Sequence, residues 1–160
     1  MHVLLIEDEQ LAGEKLKGYI RDYLDVAVKI TWLRSISEVR DYFNSGEKID
    51  LIFSDIELLD GNIFSVYDHI KISQPIIFCT AYDQFVLKAF KANGIAYLLK
   101  PYNEEQFKEA WKKYQLLFDS NDKGISDNII DELKLIVKEK STQYKSRFTI
   151  KKPNGIFLLS

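Results

Sequence analysis

The chain has 160 residues, 46% of them hydrophobic and 29% charged, with 22 basic and 24 acidic side chains and a single cysteine, Cys79. That length supports one domain of about 100–150 residues with some chain left over. The lone cysteine excludes an intramolecular disulfide or a cysteine zinc site, and apolar runs of about five residues are far short of the roughly 20 of a membrane span.

The predicted elements follow in chain order. Residues 3–6 (VLLI) form an apolar run that predicts a first strand, and the N-terminal MHVLLIEDEQ, which turns acidic at Glu7, is not expected to act as a signal peptide. A soluble, cytoplasmic protein without a membrane segment is therefore expected. Leu11, Leu16, Tyr19, Ile20 and Tyr23 share one helical face, and residues 27–33 alternate as an edge strand would, with Val28, Ile30 and Trp32 on one side. Ser37 before Glu38 reads as the N-cap of a second helix with Val39, Tyr42 and Phe43 on its apolar side. Residues 51–53 predict a third strand, then Ile63, Val66, Tyr67 and Ile70 a third helix. Residues 76–79 predict a fourth strand, Phe85, Lys88, Ala89 and Ala92 a weaker fourth helix, and residues 95–99 a fifth strand. Asn103 before Glu104 and Glu105 caps a fifth helix, whose buried side is Phe107, Ala110, Trp111, Tyr114 and Leu117.

Strand and helix thus alternate five times. Apolar strands separated by single helices predict an α/β fold with a doubly wound, five-stranded parallel sheet covered on both faces. In such a sheet ligands bind beyond the carboxyl ends of the strands.

The net charge of −2 conceals a division. Residues 1–119 hold 14 Lys and Arg against 19 Asp and Glu, a net −5, while residues 120–160 hold 8 against 5, a net +3. The turn-rich string DSNDKGISDN at 119–128 reads as a linker between two modules. Residues 129–140 predict a helix with Ile129, Leu133, Ile136 and Val137 on one side. Residues 148–150 and 156–159 predict two strands around Asn154-Gly155, a hairpin signal. An isolated hairpin is marginal, so the end of the chain is expected to be the start of an incomplete domain.

The strand ends collect chemistry. The first ends in Glu7-Asp8-Glu9, the third in Asp55, the fourth in Thr80-Ala81, and the fifth in Lys100-Pro101. Carboxylates held together repel unless a cation neutralises them, and Mg2+ suits a site with a few carboxylates and exchangeable waters. An Asp beside Mg2+, a lysine and a hydroxyl can act as a nucleophile toward phosphorus. Elsewhere, His2 and His69 are not spaced as metal ligands, and Cys79 in a buried strand reads as a small core residue.

The strings VLLIEDE, DLIFSDIELLDG, PIIFCTAYDQ and GIAYLLKPY resemble, in order, the motif blocks of the response-regulator receiver domain of two-component signalling, a flavodoxin-like fold. The resemblance implies that Asp55 is the phosphoacceptor, that Glu7, Asp8 and Asp55 hold Mg2+ with the Glu57 backbone carbonyl, and that Thr80 with Ala81 and Lys100 meet the phosphoryl group. It implies Tyr97 as the switch aromatic, a cis peptide before Pro101, and a sensor histidine kinase as phosphoryl donor. It further implies a homodimer through the face made by the fourth helix, fifth strand and fifth helix, and a signalling role without enzymatic turnover. Glu57 and Tyr82 lie where receiver side chains influence the access of water to the phosphoaspartate. Departures from the common pattern are Glu7 where Asp is usual, Leu58-Leu59 where Met-Pro is usual, and Ile63 where glycine is usual, with Gly61 two positions early.

The string YKSRFTIKKPNGIFLLS resembles the opening of a LytTR-type (LytR/AlgR-like) DNA-binding domain. The expected organisation is a receiver domain at 1–119, a linker at 120–144 containing the 129–140 helix, and the start of an incomplete DNA-binding domain at 145–160. The output is then transcription regulation, with DNA contacted only through the full-length output domain. Two other readings differ in kind: a stand-alone receiver acting through protein contacts, and a phosphatase with an aspartyl nucleophile, against which Glu7-Asp8-Glu9 stands in place of a D-x-D pattern.

Overall fold

Helices and strands alternate through the first 118 residues because short apolar runs, buried on both faces in the central strands, are separated by segments of period 3.6. The structure, a computed structural model, describes residues 1–24, 27–118, 135 and 138, and the backbone of Thr149–Lys152 and Gly155–Leu158. In order these are β1 (His2–Ile6), α1 (Gln10–Tyr23), β2 (Lys29–Leu33), α2 (Ile36–Ser45), β3 (Leu51–Ser54), β4 (Glu57–Leu58) and β5 (Gly61–Asn62). There follow α3 (Phe64–Tyr67), β6 (Ile76–Thr80), α4 (Val86–Lys91), β7 (Gly94–Leu99) and α5 (Glu104–Phe118). The chain divides into two units, residues 1–116 and 117–160.

The main sheet has five parallel strands in the order β2-β1-β3-β6-β7. Alternate side chains of each strand enter opposite layers of core. Val3, Leu5, Phe53, Ile77 and Leu98 join the α1 and α5 side with Leu16, Ile20 and Phe107. Leu4, Ile6, Ile52, Phe78 and Ile76 join Ile36, Val39, Phe64 and Val66 on the other. This is the doubly wound, flavodoxin-like arrangement, and the order in which strands are added to the sheet reverses between β1 and β3, whose carboxyl ends therefore open a crevice.

Four local expectations need correction. Ser37 does not cap α2; Ser35 does, its Oγ accepting the Glu38 N–H at 3.1 Å, so Ser37 lies inside the first turn. The reason is spacing, since the side-chain oxygen must precede its N–H partner by three residues. The third helix has four residues, with Ile63 just before it and Ile70 beyond it, because the His69 N–H turns back to the Val66 carbonyl three residues away and tightens the end. The edge strand starts at Lys29 rather than at residue 27. The small antiparallel pair β4–β5 was not expected; Gly61, at φ 148°, supplies the backbone conformation its turn requires.

Asn103 caps α5 as expected, its Oδ1 accepting the Gln106 N–H while Gln106 Oε1 accepts the Asn103 N–H, both at 2.9 Å. Of the helix expected at 129–140, Leu135 and Lys138 are described and helical, and the remainder lies outside the described residues. The late strands, β8 (Thr149–Lys152) and β9 (Gly155–Leu158), pair antiparallel with Lys152 opposite Gly155. Among the described residues no helix is long and apolar enough to cross a membrane.

Candidate functional site

Each functional side chain is delivered by a strand end. β1 stops at Ile6, and the next two residues leave the sheet as Glu7 and Asp8; β3 stops at Ser54 and presents Asp55. The Asp55 N–H still bonds the Ile6 carbonyl at 2.9 Å, so the two acidic ends stay in step. One carboxylate oxygen each from Glu7, Asp8 and Asp55 lie within 4.8 Å of one another, with Glu7 and Asp55 buried.

Lys100, just past β7, reaches across to this cluster. Its Nζ lies 2.7 Å from Glu7 Oε2 and 2.8 Å from Asp55 Oδ2. The Lys100 N–H also donates to the Thr80 carbonyl at 2.8 Å, which ties the ends of β6 and β7 together beside the acids. The Lys100–Pro101 peptide is cis. Burial pulls the Lys100 ammonium toward neutrality, but its hydrogen bonds to Asp55 and Glu7 outweigh burial and hold it above the ordinary lysine range. Burial pushes the Glu7 carboxyl up to about 6, opposed by its hydrogen bonds from Lys100 and from the Glu9 N–H.

Three carboxylates and one ammonium leave two formal negative charges in a largely dry crevice, which is costly without a counter-charge. The donor set is oxygen only, as a hard divalent cation prefers. Asp55 is held rigidly: Oδ1 accepts the Ile56 N–H at 2.6 Å, and the Ser54 hydroxyl donates to the Asp55 carbonyl while accepting the Tyr67 hydroxyl at 3.0 Å. A fixed carboxylate beside a fixed ammonium is suited to positioning an incoming anion.

Thr80 is fully buried at the end of β6, and its Oγ1 accepts a long 3.4 Å contact from the Tyr82 N–H; Ala81 is exposed. Tyr97 is half-buried on β7, and its hydroxyl donates to the Tyr82 carbonyl, so it stands against the loop that follows Thr80. The Glu57 carboxylate is drawn sideways, accepting from Asn62 Nδ2 at 2.7 Å across the β4–β5 pair.

Two contributors had no sequence signal. The Leu59 N–H donates to Asp8 Oδ2 at 2.8 Å, while the Leu59 side chain is 94% exposed. Asp60 accepts the Ile36 N–H at 2.8 Å and the Ser37 N–H at 3.3 Å, joining the β4–β5 turn to the start of α2. Both contacts link residues far apart in the chain, so no local pattern announces them.

Comparison with known proteins gives a consistent result. Residues 3–112 match the model of the response regulator receiver domain. The chain is 36% identical over 116 residues to the sensory transduction protein LytT of Enterococcus faecalis, covering 71% of this chain and 47% of that protein. It is 34% identical over 139 residues to the sensory transduction protein LytR of Staphylococcus epidermidis, covering 82% and 54%. The chain therefore spans about half the length of the curated relatives it matches. Among solved structures it is similar to the response regulatory domain of protein mrkE from Klebsiella pneumoniae, at 27% identity and TM-score 0.63 over 76% of this chain and 100% of that one. A two-component response regulator from Clostridium difficile matches at 28% identity and TM-score 0.63, over 76% and 99%.

Proposed function

We propose, from the premise that the chain belongs to the family of response regulator receiver domains, that Asp55 accepts a phosphoryl group from a sensor histidine kinase and thereby switches an output. The observation that carries this reading is the Lys100 ammonium, 2.7 Å from Glu7 and 2.8 Å from Asp55, in a pocket whose third carboxylate is Asp8. Glu7, Asp8, Asp55 and the Glu57 backbone carbonyl would hold Mg2+, which would balance the two remaining formal charges. When bound it supplies charge neutralisation at the phosphoryl oxygens.

The Asp55 carboxylate oxygen attacks phosphorus, forming an acyl phosphate as the P–N bond to the kinase histidine breaks. The bonding pair leaves with the imidazole, which takes up a proton. Lys100 then pairs with one phosphoryl oxygen, and the Thr80 hydroxyl donates to another. Movement of Thr80 draws on the loop to which the Tyr97 hydroxyl is bonded, and phosphorylation biases two packings of that loop and ring.

Downstream, the exposed Leu87 on α4 and Leu99 on β7, with the exposed Tyr82 in the loop before α4, support pairing of two phosphorylated copies through the α4-β7-α5 face. The resemblance at 145–160 supports a LytTR-type DNA-binding output, joined through a linker at 120–144 to the receiver domain at 1–119. The setting is cytoplasmic, and the chemistry is that of a signalling phosphoacceptor rather than a turnover enzyme. The test is labelling with a small-molecule phosphodonor. Mg2+-dependent incorporation, lost in Asp55→Asn and accompanied by a shift to dimer in sedimentation, is expected; incorporation that persists in that variant refutes the site.

A further inference from the structure

Three consecutive residues at the end of the edge strand grip the backbone of the acidic pair. The Trp32 indole N–H donates to the Glu7 carbonyl at 2.8 Å. The Leu33 carbonyl accepts the Glu7 N–H at 3.0 Å. The Arg34 guanidinium donates to the Asp8 carbonyl at 2.8 Å and to Gln10 Oε1 at 2.9 Å. The middle contact continues the ordinary sheet ladder, but the outer two are made by side chains and depend on residue type.

The Trp32 ring is itself placed with care. It lies against Gly13 of α1, where a Cβ would fall 2.0 Å from the ring carbon Cζ2, so only glycine admits the indole there. Lys17 Nζ stands 5.1 Å and the Arg34 guanidinium carbon 5.2 Å from the ring, each within cation–π range. The indole is thus held by α1 and by Arg34, and its one polar atom is spent on the peptide that leads into Asp8.

Without such a hold, mutual repulsion among Glu7, Asp8 and Asp55 would be relieved by letting the segment beyond the Glu7 N–H swing outward, because the ladder between β1 and β2 ends at that N–H. Donors fixed on the Glu7 and Asp8 carbonyls keep the acids close before a cation arrives. That raises the free energy of the empty site and lowers the cost of organising the filled one. Groups that orient metal ligands from behind act in this way.

We propose that Trp32, seated on Gly13 and assisted by Arg34, is a positioning residue that preorganises the Glu7–Asp8 segment for a divalent cation. This rests on the cation site of the proposed function. Neither side chain touches the cation or the phosphoryl group; each acts through the backbone of the acidic pair.

The experiment is calorimetric titration of the full chain with Mg2+ at neutral pH, alongside the thermal midpoint of each variant in the presence of a chelator. Trp32→Phe retains most of the ring against Gly13 but removes the N–H, and Gly13→Ala retains the N–H but displaces the ring. Both are expected to weaken Mg2+ binding by about tenfold. Trp111→Phe, which leaves Trp32 as the only tryptophan, is expected to keep wild-type affinity and to show Trp32 emission that titrates with Mg2+ at the calorimetric midpoint. Wild-type affinity in both Trp32→Phe and Gly13→Ala, whatever their thermal midpoints, overturns the positioning role while leaving the cation site standing. Absence of Mg2+ binding in the wild-type chain overturns the cation site and this role with it.

Discussion

At Glu7 a single buried carboxyl carries two competing demands. Burial holds its proton up to about pH 6, against an ordinary value of 4.5, although Lys100 and the Glu9 N–H oppose the shift. Between those values the folded chain binds more protons than the unfolded one. The contribution of Glu7 to stability is therefore complete below about pH 4.5 and is lost as pH rises through about 6. In chelator, the thermal midpoint should fall across that window, and Glu7→Gln should remove this component of the slope. A cation must displace the same proton, so Mg2+ affinity should fall below pH 6, by up to about tenfold per unit, in the wild-type chain and not in Glu7→Gln. Glu57 and Tyr82 make a second residue-scale case, since the Glu57 carboxylate is held by Asn62 and Tyr82 is 44% exposed. By the resemblance to receivers, a negative charge and a ring at these positions are expected to hinder the access of water to an acyl phosphate on Asp55. The phosphoryl half-life should shorten several-fold in the Glu57→Ala, Tyr82→Ala double variant, and an unchanged half-life would remove both from that role.

At the scale of elements, the β4–β5 pair and α2 form one device, because Leu59 bonds Asp8 while Asp60 holds the first N–H groups of α2. The Asp60 carboxyl is kept below its usual range, chiefly by the hydrogen bond from the Ile36 N–H, as befits a charge at a helix N-terminus. Ser35 completes the cap. Ser35→Ala should therefore cost about 1 kcal/mol and lower the thermal midpoint by roughly 3–5 °C, whereas Ser37→Ala should change little. The sequence signal at this point was real but attached to the wrong serine. Ser35 and Glu38 stand in the S-x-x-E spacing, and Ser37 merely adjoins the glutamate. Similarly, Ile63 and Ile70 share a face in the sequence, yet tertiary packing buries Ile63 fully and ends the helix before Ile70.

For the whole molecule, the described residues of the two core layers that cover the sheet all belong to the first unit. Residues 1–119 expressed separately should therefore unfold in one cooperative transition and still incorporate phosphoryl at Asp55 in Mg2+. Loss of either property on truncation would show that the following residues are needed for the receiver domain. The chain matches its curated relatives over this same region, at 36% identity in the Enterococcus faecalis case, which agrees with a unit that folds by itself.

The alternation of strands and helices along the first 118 residues and the identity of the residues at the strand ends were legible in the sequence, because apolar period and strand termination are local properties of the chain. So was the acidic set, since a parallel sheet with right-handed crossovers must gather the carboxyl ends of its strands at one edge. Only the tertiary structure could decide how that set is held. The Lys100 bridge between Glu7 and Asp55, the Leu59 N–H on Asp8, and the Trp32 and Arg34 contacts to the acidic backbone all join residues 25 or more positions apart. Hydrogen bonds depend on positions and angles resolved to a few tenths of an ångström, and no periodicity along one chain encodes the distance between two of its distant parts.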